Sequence, residues 1–208
     1  MATRPVELDS SVEDPRAFAR DLVDTATTAS RSHPHATRVA AAFSDDPALA
    51  EAVHFFTLLH AERPSAASIA AEVDPSPWLA RFATAFEGER NWLAHALVAS
   101  GAPRRIDRSR HEMLVRGQRD AMLTLARSDR AGCALGAVAA LACDWPAVRA
   151  TLSRDALREI DPGIVDALAA AATSRAAQRA IGFGVAQMLA VHRSLWDLLE
   201  ARQAASLP

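Results

Sequence analysis

Apolar residues recur at steps of three and four along most of the chain, which is the period of an amphipathic α-helix. The pattern predicts longer helices near residues 15–30, 46–62, 77–100, 108–127, 130–143, 162–173 and 175–202. Shorter turns are predicted near residues 36–43, 65–72 and 146–158. No segment shows the alternation of β-branched residues that is typical of strands. The sequence therefore predicts an all-α protein, a compact multi-helix bundle of six to eight helices.

Asp-Pro pairs mark several expected helix starts, because aspartate caps a helix N-terminus and proline suits the first helical turn. These pairs begin at Asp14, Asp46, Asp74 and Asp161. Next to the third of them, Ser76-Pro77 is an equally good start. The breaks between elements are short, as in the connections within one bundle. We therefore predict a single helical domain over residues 1–208, with residues 1–12 and 203–208 flexible.

The segment 131–143 is apolar on every side, which predicts a central helix surrounded by the others. Gly132, Gly136 and Ala140 follow one another along it at four-residue intervals. Such a face of small residues allows a neighbouring backbone to approach closely, or leaves room for a flat ligand. The sequence does not decide between these two uses.

The composition is that of an ordinary folded protein, since 50% of the 208 residues are hydrophobic and 23% are charged. The formal net charge is −2 and the basic residues are scattered. A protein that binds a phosphate backbone concentrates basic side chains on one face. We therefore expect no nucleic-acid partner.

The two cysteines and the amino terminus bear on the cellular location. Cys133 and Cys143 are expected on one helix, where ten residues separate them by roughly 15 Å, too far for a disulfide. Free buried thiols are typical of a reducing compartment. The amino terminus lacks an apolar signal segment, and the 131–143 run covers only ~20 Å of a ~30 Å hydrocarbon layer. We predict a cytoplasmic protein that does not bind a membrane.

Several polar residues fall on the apolar stripes and are predicted to point inward: Glu89, His192, His111, Gln118 and His60. A fully buried carboxylate without a partner costs ~4–7 kcal/mol, against a total stability of ~5–15 kcal/mol. Glu89 must therefore have a partner, such as an arginine, His192, backbone donors, water or a metal ion. Trp92 and Trp196 neighbour Glu89 and His192 in the sequence pattern, where they form either ordinary core or the wall of a ligand pocket.

Glu51 and His54 form a Glu-x-x-His motif, whose spacing puts both side chains on one side of a helix. The motif resembles half of the di-iron site of ferritin-like bundles, which use it on two helices, whereas this sequence has it once. The resemblance implies a metal oxidase with a di-iron or other metal centre. Its ligands would then be drawn from Glu51, His54, Glu89 and His192.

Two further resemblances concern longer segments. The segment 56–72 resembles the helix-turn-helix of tetracycline-repressor-type regulators, but in that family the DNA-binding segment lies near the amino terminus. The following residues, Trp78 to Phe82, are apolar where a recognition helix needs polar contacts. The segment from Gly117-Gln118-Arg119 to Asp144-Trp145 resembles an uncharacterised bacterial all-helical family of about 200 residues. That resemblance implies no activity.

These observations support two hypotheses of function. In the first, the bundle binds a small molecule or a metal in its interior, around Glu89, His192, His111, Gln118, Trp92 and Trp196. In the second, the protein is a non-catalytic interaction or scaffold module, and the inward polar residues pair only with each other. The partner is then a protein, and the sequence leaves a homodimer open. The two hypotheses differ in whether the inward residues converge in space.

Overall fold

The computed structural model describes residues 14–41, 47–101, 108–153 and 159–205. These ranges contain nine α-helices and no strand, so the all-α prediction is confirmed and the predicted number of six to eight helices is too low. The helices are α1 Pro15–Thr28, α2 Pro34–Ala41, α3 Pro47–His60, α4 Ala66–Val73, α5 Pro77–Ser100, α6 Arg108–Ala126, α7 Cys133–Ser153, α8 Gly163–Ala171 and α9 Arg175–Ala205.

The two additional helices of the described ranges, α2 and α4, lie where the sequence predicted turns. The N-terminus of α4 has a reciprocal cap. The Ser68 backbone N–H donates to the Ser65 hydroxyl oxygen, and the Ser65 backbone N–H donates to the Ser68 hydroxyl oxygen. The N-terminus of α2 is satisfied by an imidazole, because Nδ1 of His33 accepts from the His35 backbone N–H over 3.1 Å. These local bonds stabilise eight-residue helices that periodicity alone does not identify.

α7 is the central helix, since it contacts each of the other eight described helices. It is longer than predicted, because it continues beyond Cys143 and through Pro146 to Ser153. Proline removes one backbone hydrogen bond from a helix interior, but Trp145, Val148 and Leu152 beyond the expected end are all buried. Burial of these side chains outweighs the local penalty, and the extension carries Asp144 into the core.

α7 is also the one described helix that is long and apolar enough to cross a membrane. Most of it is buried against the other helices, and the core helix of a folded bundle has the same length and composition. The finding is therefore weak evidence for a membrane span.

The small face of α7 packs directly on α9. A Cβ added at Gly136 lies 2.2 Å from the Ile181 carbonyl oxygen, and one added at Gly184 lies 2.2 Å from the Cys133 carbonyl oxygen. Gly132 precedes the helix with a φ of 85°, a conformation that favours glycine. Of the two uses that the sequence left open, the structure shows the close backbone approach, and at Gly136 the α9 backbone fills the space that a flat ligand would need.

The C-terminal end of α3 is held by two arginines from neighbouring helices. Nε of Arg90, on α5, donates to the His60 carbonyl oxygen over 3.1 Å. Nη2 of Arg119, on α6, donates to the carbonyl oxygens of Glu62 and Pro64 over 3.0 and 2.9 Å. Guanidinium groups here satisfy carbonyls that have no partner within the helix. They also fix the position of His60, the last residue of α3.

Some sequence predictions concern residues outside the described ranges. Residues 1–12 and 206–208, predicted to be flexible, are among them, as are residues 42–46 and 154–158. Residues 203–205 continue α9. The single-domain prediction and the flexible ends stay predictions.

Candidate functional site: a buried histidine pair and the adjoining cleft

Two histidines from distant parts of the chain meet in the interior. Nε2 of His60, on α3, lies 2.9 Å from Nε2 of His192, on α9. On the other side of its ring, His192 uses Nδ1 to contact Oδ2 of Asp144 over 2.7 Å. His60, His192 and Asp144 are at most 3% exposed. The geometry is that of a continuous buried chain from imidazole to imidazole to carboxylate.

Ser30, in the turn after α1, completes the hydrogen bonding of the carboxylate. Its backbone N–H donates to Oδ1 of Asp144 over 2.7 Å, and its hydroxyl donates to Oδ2 over 2.6 Å. The same hydroxyl oxygen accepts from Nε1 of Trp196 over 3.0 Å. Asp144 therefore accepts three hydrogen bonds, so both of its buried carboxylate oxygens have partners.

Serine, histidine and aspartate occur together here, but their order is not that of a nucleophilic triad. In such a triad the histidine lies between the serine and the carboxylate, where it can take the hydroxyl proton. Here Ser30 donates directly to Asp144, and the second nitrogen of His192 is engaged by His60. The arrangement does not activate Ser30 as a nucleophile.

The hydrogen positions in the pair follow from its partners. Because a carboxylate only accepts, Nδ1 of His192 carries a hydrogen. Two Nε2 atoms at 2.9 Å then share one further hydrogen. Either His60 donates it to neutral His192, or His192 as an imidazolium donates it to neutral His60.

The surroundings of His60 keep this ring neutral. Burial lowers the pKa of His60 well below 6.5, and His192, Arg119 and Arg90 lower it further as neighbouring positive groups. Aromatic rings enclose the imidazole: Phe56 is stacked on it, and Phe86 and Trp145 meet it edge-on at centroid distances of 6.0 and 5.4 Å.

A cleft of about 400 Å³ lies beside this network, between α9 and the end of α1 with its following turn. Its lining includes His192, together with Ser30 and Trp196 from the same hydrogen-bond network, further hydroxyl side chains, apolar residues and one arginine: Thr25, Ala29, Ser30, Ser32, Ala186, Leu189, Ala190, His192, Arg193 and Trp196. The sequence-predicted residues His192 and Trp196 therefore lie together at one cleft.

Glu89 lies in a different cluster. Oε2 of Glu89 accepts from Nε1 of Trp145 and from Nε of Arg149, each over 3.1 Å. The Arg149 guanidinium in turn lies 3.5 Å from the ring centre of Trp92. Glu89 thus has the arginine partner that its position in the apolar stripe required, and its side chain is 15% exposed. A ligand-binding role for Glu89 and Trp92 stays a prediction.

Glu51 and His54 have separate partners. Nη2 of Arg202 donates to Oε1 of Glu51 over 2.8 Å, and Nη1 of the same arginine donates to Nδ1 of His111 over 2.6 Å. Nε2 of His54 instead contacts Oε1 of Glu112 over 3.0 Å. Gln118, also on α6, has a buried Oε1 without a hydrogen-bond partner.

The four predicted metal ligands, Glu51, His54, Glu89 and His192, are thus divided among different clusters. In the described ranges, one group of three potential ligands has its ligand atoms within 4.8 Å of one another, and it consists of His33, Asp197 and Glu200. A ferritin-like site is not shown.

That group is better explained as an ion-pair cluster than as a metal centre. Nδ1 of His33 accepts the His35 backbone N–H, so in the neutral ring the hydrogen lies on Nε2, which contacts Asp197 over 3.0 Å. A metal at Nε2 needs that nitrogen free of its hydrogen, and Arg38 already pairs with Glu200. The donor set therefore does not fit a metal ion.

Sequence reasoning missed two members of the central network. Asp144 lies one residue beyond the helix predicted over residues 130–143, and Ser30 is the last residue of the helix predicted over residues 15–30. His60 was identified as pointing inward, but its pairing with His192 joins residues that are 132 positions apart. No local pattern carries that pairing.

Comparison with known proteins places the chain in one family. A family of unknown function (DUF6975) matches residues 25–206, which is most of the sequence. The chain therefore belongs to this family, in agreement with the resemblance to an uncharacterised family of about 200 residues. No curated protein and no solved structure matches the chain.

Proposed function

We propose that this member of the family binds a small carboxylate-bearing molecule in the cleft beside Ser30, His192 and Trp196. The observation that carries the proposal is the continuity between the cleft and the buried network: of the lining residues, Ser30 and His192 are held by hydrogen bonds to Asp144, and Trp196 is held by one to Ser30. Binding sites of small ligands are concave, mostly apolar and largely pre-formed, with a few fixed polar groups.

The lining indicates the chemistry of the ligand. Arg193 is the permanently charged side chain in the described lining, and a guanidinium suits a carboxylate. Ala186, Leu189 and Ala190 provide an apolar surface along α9, next to the ring of Trp196. A compact anion with an apolar body matches this combination. Glu89, His111, Gln118 and Trp92, which the sequence placed around the same site, lie in other clusters and are not needed for it.

The test uses a panel of small carboxylates of increasing apolar size, namely acetate, hexanoate and benzoate. Ligands that bind the folded state raise the melting temperature in a concentration-dependent manner. We expect the larger members to do so and to change tryptophan fluorescence through Trp196. Arg193→Ala should abolish both responses, whereas Arg179→Ala, on the same helix and outside the cleft lining, should retain them.

Two outcomes contradict the proposal. One is a panel in which no member changes the melting temperature or the fluorescence. The other is an equal response in wild type and Arg193→Ala, since binding then takes place elsewhere.

The alternative function, an interaction or scaffold module, has less support. Large exposed apolar side chains in the described ranges come from four different helices: Val73, Val98, Met113, Leu114 and Phe183. Interaction sites are typically contiguous apolar patches rather than separate side chains. A cytoplasmic location without a membrane or nucleic-acid partner remains part of our proposal.

A further inference from the structure

We infer that the contact between His60 and His192 is an acid-sensitive link between α3 and α9, closed by one hydrogen between the two Nε2 atoms and opened when both rings are protonated. The inference rests on the geometry of the pair. Nitrogen atoms 2.9 Å apart require one donor and one acceptor. Two imidazolium rings place N–H against N–H at this distance, and the contact is lost.

Protonation of one ring leaves the link in place, because one donor and one acceptor remain. Asp144, on α7, accepts the hydrogen on Nδ1 of His192 from the side opposite His60, so a proton added to His192 lies on its Nε2. Neutral His60 then accepts the shared hydrogen. The link therefore survives protonation of His192, and its opening depends on His60.

The groups that face His60 oppose a second proton. Arg90 from α5 binds the His60 carbonyl oxygen, and Arg119 from α6 binds the Glu62 carbonyl oxygen just beyond α3. Arg90 pairs with Glu87 and Arg119 with Glu62, yet both guanidinium groups lower the pKa of His60. From α7, Trp145 lies between His60 and the carboxylate of Glu89, to which it donates. That carboxylate is paired with Arg149. The surroundings thus provide a counterion for His192 and repulsion for His60.

Opening the link has a consequence for the adjoining cleft. His192 forms part of the cleft wall, and its ring is held between His60 and Asp144. When the contact with His60 breaks, one of these two restraints is lost and water gains access to the end of α3. This inference does not depend on a ligand in the cleft.

The experiment is a pH titration of the ligand-free protein from pH 7.5 to 4.5. We follow the histidine ring signals and the shared N–H hydrogen by NMR, the tryptophan fluorescence from Trp145 and Trp196, and the helix content by circular dichroism. We expect the shared hydrogen to disappear together with a reversible fluorescence change below pH 6.5, while helix content is retained.

A pair of variants assigns the transition. His60→Gln keeps a donor and an acceptor at this position but does not titrate, so the fluorescence transition should vanish or move down by about one pH unit or more. His95→Gln removes an exposed histidine of α5 and should titrate like wild type.

Three results overturn the inference. They are persistence of the shared hydrogen to pH 4.5, loss of helix in step with the fluorescence change, and an unchanged transition in His60→Gln. Should His60→Gln fail to fold, the NMR titration of the wild-type rings decides alone, because it reports directly whether His60 gains a proton as the shared hydrogen disappears.

Discussion

Gly136 of α7 and Gly184 of α9 lie where the two helix backbones cross, and neither position has space for a methyl group. A Cβ at either one comes within 2.2 Å of a carbonyl oxygen of the partner helix. Backbone atoms of a packed helix cannot move aside as the end of a flexible side chain does. The crossing of α7 and α9 therefore depends on hydrogen atoms at these two positions.

We expect Gly136→Ala to destabilise the protein by about 3 kcal/mol, since the added methyl forces α7 and α9 apart and disturbs the packing on both sides. Gly184→Ala should act in the same way. Urea unfolding monitored by circular dichroism measures the effect.

Gly182→Ala is the matched control, because Gly182 lies on α9 two residues before Gly184 and a Cβ added there meets no atom within 4 Å. Alanine is the better helix former, so this variant should gain about 0.5–1 kcal/mol. A Gly136→Ala variant as stable as wild type would show that α7 and α9 do not cross this closely.

The buried pair of Glu51 and Arg202 leads to a second prediction. Both side chains are less than 5% exposed, so removing Glu51 takes a buried counter-charge away from Arg202. We expect Glu51→Met to lose about 3–5 kcal/mol of unfolding free energy. The double variant Glu51→Met with Arg202→Leu should lose clearly less, because apolar side chains of similar size replace both charges.

The control for this prediction is the exposed pair of Arg16 and Asp166, whose side chains are 60% and 67% exposed. Asp166→Ala should change the unfolding free energy by no more than about 1 kcal/mol. A double variant of the buried pair that loses the full sum of its two single variants would contradict the interpretation, since the two charges would then not depend on each other.

Much of the fold was accessible from the sequence, because helical periodicity is a local property. The starts of α1 and α5 coincide with the Asp14-Pro15 and Ser76-Pro77 signals. The end of α7 could not be predicted from the sequence. Proline disfavours the helix interior, but burial of Trp145, Val148 and Leu152 against other helices carries α7 past Pro146. Because the predicted helix ended at residue 143, nothing in the sequence indicated that Asp144 points into the core.

The residues of the site could be predicted from the sequence only in part, because periodicity does not report contacts between helices. Periodicity indicates that Glu89, His60 and His192 point inward, but it does not tell which of them meet. Glu89 pairs with Arg149, and His60 pairs with His192, through contacts set by how whole helices cross. The pattern of one helix shows that a side chain points inward, whereas the partner that it meets depends on how two helices pack together.

Cys143 provides a third prediction. Burial raises the pKa of its thiol to about 12, with a further contribution from the neighbouring Asp144 carboxylate. The thiolate is the reactive form, so at pH 8 alkylation should be slower by about a thousandfold than for a thiol with an ordinary pKa near 9.

The measurement is the rate of iodoacetamide labelling in a Cys133→Ala background, in which Cys143 is the only thiol. Unfolding in urea should restore the ordinary rate. Labelling of the native protein at the unfolded rate would show that Cys143 is accessible, contrary to its buried position.

The last prediction concerns stability in mild acid. Burial lowers the pKa of His35, His54 and His60 below 6.5 in the folded protein. In the unfolded chain these rings take up protons as the pH falls through 6.5, whereas in the folded protein they do so only at lower pH. The unfolded state therefore binds more protons in this window, and the unfolding free energy decreases as the pH falls below 6.5.

The slope should be at most about 1.4 kcal/mol per pH unit for each such histidine, and the stability should level off above pH 6.5. Urea unfolding at pH 7.5, 6.5 and 5.5 measures it. His35→Phe removes one of the three rings, whose Nδ1 is buried without a partner, and should flatten the slope. His95→Gln removes an exposed ring and should leave the slope unchanged. Equal stability at pH 7.5 and 5.5 would mean that the three histidines take up protons as readily in the folded protein as in the unfolded chain.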